Sequence, residues 1–264
     1  MNTVIITGAA GGLGKAFAQA CAARGWPVLL TDLDEARLQA AAAGLRRQYG
    51  TEVDSLVCDM TDSSQRAAFW QALASRHLRA GMLINVAGLD FEGAMKDIEP
   101  EKLIILLRLN IEGTVDNMRR VLDLRAATEP LHILNVSSCA SFQPMPIKAA
   151  YAASKRFLLD FSRAVRAEMK GSGITVTSLC PSGMPTNQPC IDSIASQGIM
   201  GLLTTRNVGD VAEYALKAAL RGRSVVIPGF INRAMSWCAA LMPKDLLASL
   251  IRRRWEVTRG RMPV

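Results

Sequence analysis

Histidine is almost missing from this 264-residue sequence. There are two, His77 and His132, and neither alternates with cysteine at metal-ligand spacing. The six cysteines form no C-x-x-C pair and several sit inside apolar runs, where a reduced thiol acts as a small hydrophobe. A zinc site and a disulfide framework are therefore not expected, and a reducing cytoplasm is. Aromatic residues make up only 5% of the chain, so the interior should be aliphatic. No apolar stretch approaches the length of a membrane span. The chain opens on the strand-like run Asn2–Thr7, so no signal peptide is expected. No segment combines high charge with low hydrophobicity, and no nucleic-acid module is present. The net charge of +8 is accordingly read as that of a basic enzyme rather than of a nucleic-acid binder.

Short β-rich runs alternate with longer helical patterns. Strands are expected at Thr3–Thr7, Val28–Thr31, Val53–Cys58, Met82–Asn85, His132–Val136, Ile174–Leu179 and Ser224–Ile227. Helices are expected at Gly12–Arg24, Glu35–Tyr49, Ser63–Arg76, Pro100–Ala127, Ala149–Lys170 and Val208–Arg221. This alternation implies right-handed βαβ units: an α/β fold with one doubly wound parallel sheet of about seven strands, covered by helices on both faces. Residues 1–230 form the expected Rossmann-type domain, with a lid at about 184–207 and a basic amphipathic extension at 231–264.

Strand one runs into the turn Thr7-Gly8-Ala9-Ala10-Gly11-Gly12-Leu13-Gly14, and a helix follows. Glycines there admit positive φ and a close backbone approach, and the helix N-terminus can face a pyrophosphate. The spacing differs from G-x-G-x-x-G. Strand two ends at Asp32, whose carboxylate can accept from ribose hydroxyls and repels a 2′-phosphate. Asp34 is better placed to cap the next helix, which leaves Asp32 for the ribose and favours NAD over NADP. Asp59 and the run Asn85-Val86-Ala87-Gly88 lie at carboxyl ends of strands, where open parallel sheets bind ligands. Asp59 alone is as readily a turn residue.

Tyr151 and Lys155 are four apart and share one helix face. An ammonium near a phenol should lower its pKa and make Tyr151 a general acid or base. Ser138, at the end of strand five, can hold a substrate oxygen. Asn110, an amide inside an apolar helical run, suggests a specific polar task. A solvated helix face is the ordinary reading of a Tyr/Lys pair. The company of Ser138, Asn110 and the glycine turn argues against it.

Together these segments resemble the classical short-chain dehydrogenase/reductase family: TGAAGGLG at Thr7–Gly14, NVAG at Asn85–Gly88, LN at Leu109-Asn110, NVSS at Asn135–Ser138, YAASK at Tyr151–Lys155 and PSGMPT at Pro181–Thr186. The resemblance implies a tetrad. Tyr151 exchanges the proton, and Lys155 tunes it and binds the nicotinamide ribose. Ser138 orients the substrate, and Asn110 holds a relay water. It implies cofactor contacts at Gly8, Gly12, Leu13, Gly14, Asp32, Asp59, Met60, Asn85, Ala87, Gly88, Pro181, Gly183 and Thr186, with Thr186 at the carboxamide. Val86, Ser141 and Ser182 depart from the family pattern.

The lid stretch Ile191–Leu203 is rich in Ile, Met and Leu, which points to an apolar alcohol or ketone. Ser138, Cys139, Phe142, Met145, Tyr151 and Met184 should line its mouth. Cys139 reads as a buried, inert thiol. In the tail, Leu246, Leu247, Leu250 and Ile251 form a stripe beside Arg252, Arg253, Arg254, Trp255, Arg259 and Arg261. Such a helix can touch a membrane surface, close the pocket or cover a neighbouring subunit. Relatives with similar tails suggest hydroxysteroid, bile-acid-like or other lipid-like substrates. A homodimer or homotetramer, paired through the helices near Tyr151–Lys170 and Pro100–Ala127, is implied by the resemblance. The alternatives are an NADP-dependent 3-oxoacyl or ketone reductase of the same fold and a non-catalytic dinucleotide sensor.

Overall fold

The protein is described here by a computed structural model, covering residues 1–186, 188–196 and 198–259. Arg261 of the basic tail lies outside the described residues.

Strand β1 (Thr3–Thr7) carries the apolar run Val4–Ile6, buried on both faces as a central parallel strand must be. It pairs with β2 (Val28–Thr31) on one side and β4 (Ala80–Asn85) on the other. The short β3 (Val53–Ser55) lies outside β2, and β5 (Leu131–Val136), β6 (Ile174–Leu179) and β7 (Val225–Val226) continue beyond β4. All pairs are parallel and the order is β3-β2-β1-β4-β5-β6-β7. The order reverses between β1 and β4, which opens a crevice at their carboxyl ends. Register brings Thr7 opposite Asn85 and Asn85 opposite Asn135 at that edge.

The helices are α1 (Gly12–Ala22), α2 (Glu35–Tyr49), α3 (Ser63–Ser75), α4 (Pro100–Leu107), α5 (Thr114–Val121), α6 (Ala149–Glu168), α7 (Gln188–Ser196), α8 (Gly198–Thr204), α9 (Val208–Leu220), α10 (Phe230–Leu241) and α11 (Lys244–Arg259). Caps fix several starts. Asp34 accepts the Arg37 N–H at α2, Asp62 accepts from Ser64 and Gln65 at α3, and Asn207 accepts from Gly209 and Asp210 at α9. Two aliphatic layers sandwich the sheet. One gathers Phe17, Leu38 and Leu216 against β1 and β2, and the other gathers Phe69, Trp70, Leu73, Met118 and Val121. An Ala-rich α1 lets α9 pack closely alongside it.

The expected helix Pro100–Ala127 is not continuous. After α4 the chain winds as a π-helix over Arg108–Gly113, resumes as α5 and ends in a 3₁₀ turn at Leu122–Leu124. The cause is Asn110: its fully buried amide must find partners, and the widened turn lets it reach a neighbouring loop. Gly113 permits the fit, since a Cβ there would stand 2.8 Å from the Met60 carbonyl oxygen. Helix α10, for which the sequence reading has no counterpart, is tied to the body by Asn232. Its Nδ2 donates to Ser182 Oγ (2.8 Å), Thr204 O (2.9 Å) and Pro228 O (2.8 Å).

Candidate active site

The glycine turn packs as tightly as its sequence requires. A Cβ on Gly14 would fall 2.0 Å from Gly8 O, and Gly8 itself has φ +66° with Ala87 pressed against it. Helix α1 therefore starts directly above the end of β1. Among the described residues no side chain caps that start, so its first N–H groups face the crevice, as an anion requires. Asp32 stands beside the turn, with Oδ2 accepting from Ala10 N (2.9 Å) and Oδ1 from Asp34 N (3.2 Å). Asp34 caps α2, and the two acids divide their tasks along the lines the sequence suggests. Each Asp32 oxygen keeps a lone pair for a ribose hydroxyl. Next to it Leu33 is exposed and carries no charge to offset a phosphate. Gly12 lies under Thr186, whose Cβ would be 2.9 Å from a Cβ added there. Leu13 is buried. An uncapped helix start, a glycine cradle that Cβ atoms would fill, and an acid on the second strand fit a dinucleotide.

Other residues expected at the cofactor are held differently. Asp59 Oδ1 receives the Thr61 N–H (2.8 Å) and hydroxyl (2.7 Å), a turn interaction. The Asn85 side chain belongs to a buried amide chain. It donates to Asn135 Oδ1 (2.9 Å) and accepts from Asn117 (3.2 Å), which in turn accepts from Trp70 Nε1 (3.0 Å). Met60 is buried beside that chain, its sulfur 3.6 Å from Asn117 Nδ2. The Val86 and Ala87 N–H groups donate to Thr7 Oγ1, which pins the loop over the crevice. Pro181 O accepts from Cys139 N and Gly183 O from Arg206 N, joining the loop after β6 to the 3₁₀ turn after β5 and to the end of α8.

The tetrad residues converge at the carboxyl end of β5. Ser138 lies two residues past the end of β5 and caps the 3₁₀ turn Cys139–Phe142, accepting from Ala140 N (3.1 Å). Its hydroxyl lies near enough to the Tyr151 phenol to lower the phenol's pKa. Lys155, one turn further along α6, is buried and donates from Nζ to Val136 O (2.9 Å). Its Nζ lies 5.7 Å from the Tyr151 ring centroid, facing the ring. Gly88 separates Lys155 from Asn110: a Cβ there would be 3.1 Å from both Lys155 Nζ and Asn110 Oδ1. Asn110 accepts from Leu89 N (2.9 Å) and donates to Leu89 O (2.9 Å) and to Ser154 Oγ (3.0 Å). Ser154 donates to Tyr151 O, so Asn110 braces both the loop and the helix start.

The electrostatics correct one expectation. Burial raises the Tyr151 pKa above its ordinary value; the nearby Ser138 hydroxyl opposes this, and the Asp90 charge adds to it. Burial of the ring outweighs the lowering expected from the neighbouring ammonium. Desolvation lowers Lys155 to about 8, with Asp90 acting in the opposite sense. Cys139 is an inert thiol, pushed up to about 12 by burial.

Sequence reasoning overlooked an ion cluster beside the phenol. Lys148 Nζ lies 2.7 Å from Asp90 and 3.4 Å from Glu92, and 6.0 Å from the Tyr151 ring centroid. The spacing Lys148/Tyr151 (i, i+3) was the available signal. The family departures also acquire reasons. Ser141 donates to Ser138 O (2.6 Å), and Ser182 Oγ donates to Thr204 O while accepting from Asn232. Of the residues expected to line the substrate mouth, Ser138 and Tyr151 meet. Cys139 and Phe142 pack with Leu159, Cys180 and Ile227, Met184 packs on the main core, and Met145 is half-buried.

A family model for the short chain dehydrogenases matches residues 2–189. The chain belongs to that family. The probable oxidoreductase EphD of Mycobacterium tuberculosis is 31% identical over 188 residues, 70% of this chain and 31% of that protein. The match thus spans about a third of EphD. A solved structure of a 7β-hydroxysteroid dehydrogenase superposes with a TM-score of 0.84 at 24% identity, covering 95% of this chain and 96% of that one. A short-chain dehydrogenase from Sphingobium yanoikuyae, solved with NADPH, gives a TM-score of 0.75 at 28% identity, covering 92% and 97%. Among the described residues no helix is long and apolar enough to cross a membrane.

Proposed function

We propose that this short-chain dehydrogenase is NAD-dependent and interconverts a secondary alcohol and a ketone on an apolar substrate, a hydroxysteroid or another lipid-like alcohol. The observation that carries the reading is the convergence of Ser138, Tyr151 and the buried Lys155 beside the switch-point crevice, with Lys155 Nζ 5.7 Å from the Tyr151 ring centroid. Ser138 holds the substrate oxygen through its hydroxyl. Tyr151 gives its O–H proton to a forming alkoxide, or takes one from an alcohol. A phenol whose pKa is raised by burial is protonated at neutral pH, which suits the reduction direction. Lys155 faces the ring and stabilises negative charge that develops on the phenolic oxygen. Asn110 fixes the Leu89 backbone and, through Ser154, the start of α6. A bound nicotinamide supplies or receives the hydride. Asp32, with Leu33 following it, supports NAD over NADP. The NADPH-bound relative supports the second reading, an NADP-dependent ketone or 3-oxoacyl reductase.

Tyr151→Phe should lower turnover with NADH and a ketone panel about 10²–10⁴-fold, with NADH binding unchanged. Near-normal turnover in that variant contradicts the assignment. In the same titrations NADH should bind at least about tenfold tighter than NADPH, because like charges repel at Asp32; the reverse order moves the chain to the second reading. We further propose a homo-oligomer paired through α4 and α6, and a cytoplasmic location.

A further inference from the structure

The loop after β4 and the loop before α6 are stitched together next to Tyr151. The Gly93 N–H donates to Ile147 O (2.8 Å), and Lys148 Nζ reaches across to Asp90 Oδ2 (2.7 Å) and Glu92 Oε2 (3.4 Å). At the crossing Ile147 holds φ +62°, an unfavourable backbone for a β-branched residue. Such a conformation persists only where its surroundings fix it, and the ion cluster is what fixes it here. The same loops wall a cavity of about 460 Å³ with Phe91, Met95, Ile147 and Ala149, and α11 adds Trp255 to the lining. None of those five side chains is charged, and the Lys148 side chain is only 17% exposed. Charges here are therefore screened less than charges on an open surface.

Titratable and charged groups face Tyr151 from several elements. Lys155 Nζ, one turn along α6, lies 5.7 Å from the ring centroid, and Lys148 Nζ, one turn before it, lies 6.0 Å away. Asp90 acts from the loop after β4, Ser138 and Cys139 from the turn after β5, and Cys190 from α7. Burial disfavours the Lys148 charge, and Asp90 and Glu92 more than restore it, so Lys148 keeps its proton beyond the ordinary lysine range. Asp90 works against a phenolate, and Lys148 carries the opposite charge on that same carboxylate. Removing one partner of such a pair uncovers the field of the other. We propose that Lys148 is a positioning residue for Tyr151, and that its ammonium, balanced against Asp90 and Glu92, sets how readily the phenol gives up its proton. The consequence for turnover rests on the reading of Tyr151 as the catalytic acid/base.

The phenol can be titrated directly. Tyr49, Tyr151 and Tyr214 of the full-length protein are replaced biosynthetically by 3,5-difluorotyrosine and followed by fluorine NMR. This more acidic phenol titrates where Lys148 still holds its proton. The Tyr151 signal is the one missing from Tyr151→Phe. Lys148→Met should raise its midpoint by about 0.5–1 pH unit, and Asp90→Asn should lower it by about as much. The double variant should return close to the wild type, and Lys148→Arg should keep the wild-type midpoint. Arg156→Gln, at the exposed Arg156–Asp160 pair further along α6, should leave it in place. Each variant is checked for native circular dichroism. A clamp with a merely structural role would be loosened alike by Lys148→Met and Asp90→Asn. Midpoints that stay put, or that move in the same direction in both variants, overturn the proposal. The titration needs no turnover, so it stands apart from the catalytic reading. Near-normal turnover in Tyr151→Phe sinks that reading alone, and unmoved midpoints beside an inactive Tyr151→Phe sink the proposal alone.

Discussion

Burial takes the Lys155 ammonium out of water, and its pKa falls from 10.5 to about 8. Between those two values the unfolded chain holds the proton and the folded chain does not. Stability from this group is therefore fully present above about pH 10.5 and is lost as pH falls through about 8. The difference amounts to about 3 kcal/mol across the window. Removing the amine as Lys155→Met should abolish that slope. Thermal melts at pH 7 and pH 10 should show the wild type gaining on the variant as pH rises, by roughly 5–10 °C. Parallel curves for the two proteins would show that Lys155 is not desolvated. At this scale the sequence was informative about identity and poor about charge. YAASK at Tyr151–Lys155, beside Ser138, points to the groups proposed to react. The direction of the Tyr151 shift depends on how deeply the ring is buried and on Asp90, which sequence spacing does not report.

The π-helical turn at Arg108–Gly113 is where an element departs from its own pattern. Leu103, Leu106 and Leu107 read as ordinary helix, and the uninterrupted apolar run hid the break. Asn110 was the visible signal, since a buried amide needs partners and a regular helix offers it none. The π turn aims it at the Leu89 backbone, and its three hydrogen bonds join α4, the loop after β4 and α6. Asn110→Ala leaves the Leu89 N–H, the Leu89 carbonyl and Ser154 short of a partner. Stability should fall by about 2–4 kcal/mol, read as a lower urea midpoint with an unchanged m-value, and turnover should fall with it as the loop beside Lys155 loosens. A variant as stable and active as wild type would make the π turn incidental. The same logic applies to Asn85, Asn117 and Asn135. The sequence placed Asn85 correctly at a strand end, but only the structure shows its side chain turned into a buried amide chain.

Across the whole molecule, the parallel direction of about seven strands follows from alternating periodicity and the handedness of βαβ units, while the structure supplies their order, which sets the crevice where Asp32, Gly88 and Ser138 gather. The C-terminal region was less legible, because an amphipathic helix gives the same pattern whether it covers a pocket, a partner or a membrane. Folding α11 over the cavity leaves a separate apolar surface. Ile104 (49% exposed), Ile105 (40%) and Leu107 (37%) on α4 lie near Phe157 (39%) on the neighbouring α6, where Phe157 stacks on Phe161 at 5.4 Å between centroids. Large exposed side chains on two packed helices would suit the self-complementary face that the proposed two-fold dimer requires. Light scattering behind a sizing column should give the wild type a multiple of the single-chain mass at micromolar concentration. Phe157→Glu buries a charge at the centre of that face and should weaken association ~30-fold or more, shifting the peak to one chain with the fold retained. A wild type that runs as one chain, or a glutamate variant that keeps its size, would place the pairing elsewhere and leave the α4–α6 face to another partner.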